Sequence, residues 1–403
     1  MAAPSPARPE LFALPPGVIY LNGNSLGALP HAVVDTLDRA VREEWGQQLV
    51  GAWNTAGWVD LPRRLGDRIG ERLGAAGGQM RVCDSTSINL YKLTHAALQW
   101  HPARPQVLLE AGAFPTDNYI AESLCLGRPA TTVEHLSAEA ISDRLSDARA
   151  ESVAAVVLSH VNYRTGARVD LPRLQALAAR HDVPVVWDLA HSAGVVPLAL
   201  DAWGVDYAVG CGYKFLNGGP GAPAFAYVAQ RRQATLQPVL PGWFGHARPF
   251  AFEATYSAAS GADRLQVGTP PILSMRALET AVEVLAAVDA DALWRHAIAL
   301  FERLLAALEA DPVFAECTVL TPRAAEQRGS QLSLEHPQAF ALCRALAAEG
   351  VVADYREPGI LRLGLAPLYL TLADMDRAAA MLLQILREQR WQKPQFHVRP
   401  QVT

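Results

Sequence analysis

Asp188 closes the apolar run Val183 to Trp187, and Lys214 follows a second apolar run, Val205 to Gly210. They lie 26 residues apart, about one strand-to-strand repeat of an α/β sheet. Neighbouring parallel strands would carry the carboxylate and the amine to one sheet edge, the edge where open α/β sheets bind ligands. An acid and a lysine brought together there suit pyridoxal phosphate. Its aldehyde takes a lysine as a Schiff base, and its ring nitrogen takes an acid that keeps the ring an electron sink. Taken singly, Asp188 also reads as a helix cap and Lys214 as a solvated amine.

The elements that must position this pair follow from hydrophobic period and punctuation. Strands are expected at 18–21, 106–110, 131–136, 153–158, 183–187, 205–210 and 224–228. Val153 to Leu158 is apolar throughout, the mark of a strand covered on both faces. Helices are expected at 31–50, 61–73, 118–126 and 138–149, from Asp170 to about His181, and at 272–309 with a break near 290. After 310 the order is strand 316–320, strand 330–335, helix 338–349, strand 351–355, strand 359–364 and helix 371–390, a compact α+β unit.

Polar clusters fall where these strands end. Asp84-Ser-Thr-Ser-Ile-Asn89 opens a helix running to about Trp100. Its hydroxyls read as N-caps, or as a phosphate site at the positive helix end. Phe114, in the loop to Asp117, reads as a ring that stacks on a planar cofactor or as a buried turn residue. Trp53 and Trp58 read as core or as site lining. Arg362, inside Leu361-Arg-Leu-Gly364, reads as a carboxylate clamp or as an outward residue of an edge strand.

Bulk properties bound the function. With 403 residues, two cores are expected. Half the residues are apolar and 19% charged, ordinary for a globular enzyme. A net charge of −5 leaves no basic footprint for nucleic acid or anionic membranes. Five scattered cysteines (Cys83, Cys125, Cys211, Cys317, Cys343) without a CxxC pair point to a reducing, cytoplasmic setting and to no metal site. Met1 to Glu10 lacks the apolar core of a signal peptide, and no run is long enough to span a membrane.

Taken together, the segments resemble fold-type I pyridoxal phosphate enzymes, and more closely the kynureninase family. The resemblance is carried in order by Leu21-Asn-Gly-Asn-Ser-Leu-Gly27, Phe114-Pro-Thr-Asp117, Trp187-Asp-Leu-Ala-His191, Gly212-Tyr-Lys-Phe215, Gly242-Trp-Phe-Gly245, Gly268-Thr-Pro-Pro-Ile272 and Arg362 with Ala366-Pro-Leu-Tyr369. The Asp-x-x-His and lysine segments fit many relatives. The Phe-Pro-Thr-Asp, Gly-Trp-Phe-Gly and Thr-Pro-Pro segments are more particular.

The resemblance implies an α/β fold: a large domain with a mostly parallel seven-stranded sheet, and a smaller α+β domain. The bounds expected are 1–55 for an N-terminal arm and part of the small domain, 56–273 for the cofactor domain and 274–403 for the small domain. It implies hydrolysis of L-kynurenine to anthranilate and L-alanine in tryptophan degradation, with 3-hydroxykynurenine as a second substrate. Lys214 would tether the cofactor and act as base, Asp188 would meet the ring nitrogen, and His191 would contact the cofactor. Phe114 would stack on the ring, with Asp117 close by and Ser159 beside it. Thr86 and Ser87 would hold the phosphate, and Tyr213 would bind phosphate and carry a proton. Trp243 and Thr269 would reach the phosphate of a neighbouring subunit, implying a homodimer. Arg362 would clamp the substrate carboxylate, with Ser25 and Trp53 near its aryl end.

The nearest rival is a cysteine desulfurase or selenocysteine lyase, which needs a mobile thiol. Cys317, in an expected strand, reads as buried and inert. An aminotransferase is a second rival. A non-catalytic regulator would carry a basic DNA-binding segment, and a nicotinamide-dependent dehydrogenase a glycine fingerprint ahead of a helix. Neither pattern is found.

Overall fold

The computed structural model describes residues 5–399, so the first four residues of the expected N-terminal arm lie outside the described residues. The first strands are β1 (Ile19–Tyr20), β2 (Met80–Val82), β3 (Gln106–Glu110), β4 (Thr132–Leu136), β5 (Val153–Ser159), β6 (Val185–Asp188), β7 (Tyr207–Cys211) and β8 (Ala224–Val228). The last are β9 (Thr318–Val319), β10 (Gln331–Glu335), β11 (Val351–Val352), β12 (Asp354–Arg356) and β13 (Ile360–Gly364). Seven of them form one sheet in the order β2-β8-β7-β6-β5-β3-β4, in which only β8 runs against the others.

The apolar runs explain this sheet. Side chains alternate between two cores, so Leu108, Val156 and Trp187 enter one while Val107, Leu109, Val157 and Val186 enter the other. The helix Thr86–Trp100 gives Leu90, Leu93 and Ala97 to the second core. The helix Leu171–Arg180, capped by Asp170, gives Leu171 and Leu174 to the first. With both faces covered, every residue of β5 and β6 is buried. Polar side chains are then tolerated only at the strand tips.

A four-stranded antiparallel sheet, β12-β13-β10-β9, is built from the C-terminal part. β1 pairs in parallel with β11, and the loop after β1 reaches the four-stranded sheet through a bridge from Asn22 to Gly364. The N-terminal segment thus joins the C-terminal unit.

Several expected elements end differently. The helix from His31 stops as an α-helix at Arg39 and continues as a π-turn, Ala40–Trp45. That turn buries Glu44, whose carboxylate takes Trp58 Nε1–H and Arg276 Nη2–H, each at 2.8 Å. The expected strand 351–355 is two strands in two sheets, β11 and β12, divided at Ala353. The expected strand 316–320 shrinks to β9. Cys317 instead closes a 3₁₀ turn, Pro312–Glu316, because Pro312 and the Asp311 cap favour the turn. The helix expected near 118 begins at Pro115, whose fixed φ opens a helix, so Asp117 lies in a first turn rather than a loop.

Candidate active site

The tips of three adjacent parallel strands meet. Glu110 ends β3, Ser159 ends β5 and Asp188 ends β6, with Ser159 and Asp188 direct neighbours in register. β7 lies beside β6 and ends at Cys211, and the following turn presents Tyr213 and Lys214. Lys214 Nζ lies 3.0 Å from His191 Nε2, in the turn that follows β6. The two apolar runs therefore place acid, imidazole and amine at one sheet edge.

The amine turn is held by the N-terminal loop. Gly27 N–H donates to the Tyr213 carbonyl at 2.7 Å. A Cβ on Gly27 would stand 2.3 Å from the Lys214 carbonyl oxygen, so the approach requires glycine. Ser25, partly buried, rides on this loop.

Burial governs the electrostatics. It pushes the Asp188 carboxyl up against the opposing pull of Lys214 and of the Ala190 N–H, which donates to Asp188 Oδ1 at 2.7 Å. Asp117 is pushed well above the usual carboxyl range by burial first and then by the Asp188 charge, and its Oδ2 is a buried oxygen without a partner. Asp117 is therefore the carboxyl of the two that more readily keeps a proton. Burial, then the Lys214 amine and the Arg362 and Arg356 guanidiniums, hold His191 well below the usual histidine range. The neutral ring accepts from Lys214 at Nε2 and keeps its proton on Nδ1, a buried atom without a partner.

Next to Tyr213 is a cavity of about 710 Å³ lined by Asp84 to Ser87, Gly268, Thr269 and Pro270. Ser85 is the N-cap of the helix Thr86–Trp100, accepting from Ile88 N, and Thr86 and Ser87 are its first two residues. Thr86 Oγ1 is buried with no partner. A positive helix end, an orphan hydroxyl and a cavity together make an anion cradle. Burial and Cys211 push the Tyr213 phenol upward, so it stays protonated. Phe114 is 45% exposed at the same edge, its ring edge-on to Tyr163 at 5.3 Å, and is not the buried turn residue that was the alternative.

Arg362 faces inward on β13, an inner strand, and is 1% exposed, which removes the outward alternative. Its Nε donates to Asp354 Oδ1 at 2.7 Å, its Nη2 to Asp354 Oδ2, and its Nη1 to the Tyr163 carbonyl at 2.6 Å. Of five N–H groups, one on each Nη is left over. Trp243 is 39% exposed amid Phe244, Phe250 and Phe252. Trp53 packs edge-on against buried Trp58 and beside Phe244.

The family model described as the kynureninase C-terminal domain matches residues 293–382. A curated protein named kynureninase from Burkholderia pseudomallei strain 1106a is 43% identical over 98% of this chain and 95% of its own length. One from Pseudomonas fluorescens is 43% identical over 99% and 96%. The chain belongs to the kynureninase family. The fold is shared more widely. A cysteine desulfurase from Escherichia coli superposes with a TM-score of 0.79 at 19% identity, covering 94% of this chain and 98% of its own. One from Thermococcus onnurineus NA1 gives 0.77 at 16%, covering 92% and 95%.

Some residues of this family member's site carried no separate expectation. Glu110 is the third buried carboxylate of the cluster, and a carboxylate ending an apolar run was the signal already used for Asp188. Asp354, Tyr163 and Gln331 surround Arg362. Gln331 Nε2 donates to the Tyr163 carbonyl at 3.2 Å and its Oε1 accepts from Asn24 at 3.3 Å. No local pattern marks these, because their partners are remote in sequence.

Proposed function

We propose that the protein binds pyridoxal 5′-phosphate and hydrolyses L-kynurenine to anthranilate and L-alanine. The observation that carries this is the Lys214–His191–Asp188 cluster beside the anion cradle, in a chain of the kynureninase family. The residues fit the cofactor: Thr86 Oγ1 and His191 Nδ1 are buried polar atoms awaiting partners, and the Phe114 face is open. Bound there, the cofactor supplies an electron-withdrawing ring that stabilises charge left on carbon next to the substrate amine.

Lys214 would hold the cofactor covalently and, as the free amine, would take the proton from the substrate α-carbon. Asp188 would keep the ring nitrogen protonated, with Asp117 close by. Thr86, Ser87 and the helix end would bind phosphate, and Ser159 and Phe114 would fix the ring plane. Arg362 would bind the substrate carboxylate through its two remaining N–H groups. Tyr213, a phenol protonated at rest, would donate a proton to the carbon that leaves as alanine when water cleaves the bond to the aryl ketone. Ser25 and Trp53 would lie toward the aryl end.

We further propose a homodimer. Val34, Trp45, Val50, Phe250 and Phe252 are exposed apolar side chains, Trp243 packs against Phe250 and Phe252, and Thr269 is exposed. Five unpaired buried thiols support a cytoplasmic setting. No helix among the described residues is long and apolar enough to cross a membrane.

A desulfurase reading finds no support in the thiols. Cys317 is buried and pushed up to about 12, so it is not a ready nucleophile. The deciding experiment is anthranilate release from L-kynurenine, beside its 3-hydroxy analogue, with sulfide release from L-cysteine as the control. Sulfide without anthranilate overturns the assignment.

A further inference from the structure

Glu110 is 5% exposed, and its surroundings explain little of why a carboxylate should be there. Its Oε2 accepts from the Ser159 backbone N–H at 2.9 Å and its Oε1 from Asn162 Nδ2 at 3.1 Å. Its own backbone carbonyl accepts from Asn118 at 3.3 Å. Both side-chain oxygens therefore face donors, and burial pushes the Glu110 carboxyl upward against the opposing pull of those hydrogen bonds.

The groups around it are Asp188 on β6, Asp117 in the first turn of the next helix, and His160 after β5. His160 is buried and held down to about 3, so it is neutral. Arg164 and Arg168 line the cleft on Glu110's outer side, where the Arg168 guanidinium is bound to the Glu326 carbonyl. Asn162 also donates to the Gly112 carbonyl at 3.0 Å, while its Oδ1 accepts from Arg164 N and Thr165 N. Glu110 therefore anchors the loop whose next residue, Tyr163, touches Phe114 by its ring and Arg362 by its carbonyl.

We propose that Glu110 is a positioning residue: it fixes Ser159 and the 160–166 loop. The inference rests on the cofactor reading above. Through Ser159 it sets the contact beside the ring, and through Tyr163 it sets the acceptor that orients Arg362.

The test uses the cofactor-loaded protein with Glu110→Gln and Glu110→Asp. The first removes one of the two acceptors; the second keeps both and shortens the reach. In each, KM for L-kynurenine is expected to rise several-fold with a smaller change in kcat, because the Tyr163 carbonyl that orients Arg362 is no longer held, while the cofactor's visible band is retained. Wild-type KM in both variants overturns the proposal, and so does a loss confined to kcat. E110D can be read even if E110Q does not fold. A wild-type protein with no visible band at all would instead remove the cofactor reading.

Discussion

Arg362 and Asp354 are paired side-on inside the C-terminal sheet, 1% and 2% exposed, with Nε 2.7 Å from Oδ1. This pair orients the guanidinium before any substrate arrives. Truncating Arg362 leaves Asp354 with only the Arg356 guanidinium, 3.1 Å away, so the cost falls below the about 3–5 kcal/mol of a buried charge stripped of every partner. Arg362→Ala should therefore lower the melting temperature, and adding Asp354→Asn should restore part of it. KM for L-kynurenine should rise roughly 10- to 100-fold in R362A, the range expected for lost charge-assisted hydrogen bonds. The cofactor Kd should stay unchanged. Wild-type KM in R362A removes the carboxylate role.

Lys214→Ala should abolish the yellow colour of the purified protein. Borohydride treatment followed by mass measurement should show the cofactor's mass fixed to wild type and none fixed to the variant. Retention of cofactor mass on K214A would show that another amine carries it.

Thr86→Val removes an orphan buried hydroxyl without changing shape. Without cofactor, the variant should melt at or above the wild-type temperature, because no hydrogen bond is lost. Its cofactor Kd should nevertheless rise about tenfold, the effect of one hydrogen bond to an anion. Titration calorimetry on the apoprotein decides this. Equal affinities would place the phosphate elsewhere.

His160, 3% exposed, shares a 2.8 Å hydrogen bond between Nδ1 and Ser192 Oγ and is held down to about 3 by burial. Its folded value lies below the unfolded one, so the unfolded chain binds the proton first. The contribution to stability is complete above about pH 6.5 and is lost as pH falls toward 3, approaching roughly 5 kcal/mol at the acid limit. The melting temperature should drop more steeply between pH 7 and 4.5 in wild type than in His160→Gln. Parallel curves for the two would mean that another group sets the acid limb.

The long apolar runs were legible because a strand covered on both faces leaves an unbroken signature, and polar tips can stand only at its ends. Asp188, Ser159 and the Tyr213–Lys214 turn follow from that rule; the number of strands in the sheet came from the family resemblance, and β2 (Met80–Val82), three residues long, carried no expectation of its own. The short C-terminal strands were less legible. The split at Ala353 depends on which neighbour each half pairs with, and β1 reaches β11 from the other end of the chain.

The sequence by itself determined which strand tips carry the acid and the amine, because that information is local and periodic. Only the tertiary structure decided the direction of Arg362, the orphan state of Thr86 Oγ1, the upward push on the Asp117 and Asp188 carboxyls, and the hydrogen bonds that Glu110 accepts from Ser159 and Asn162. Those are properties of what surrounds a group after burial. Desolvation and remote hydrogen-bond partners exist only once distant segments have met.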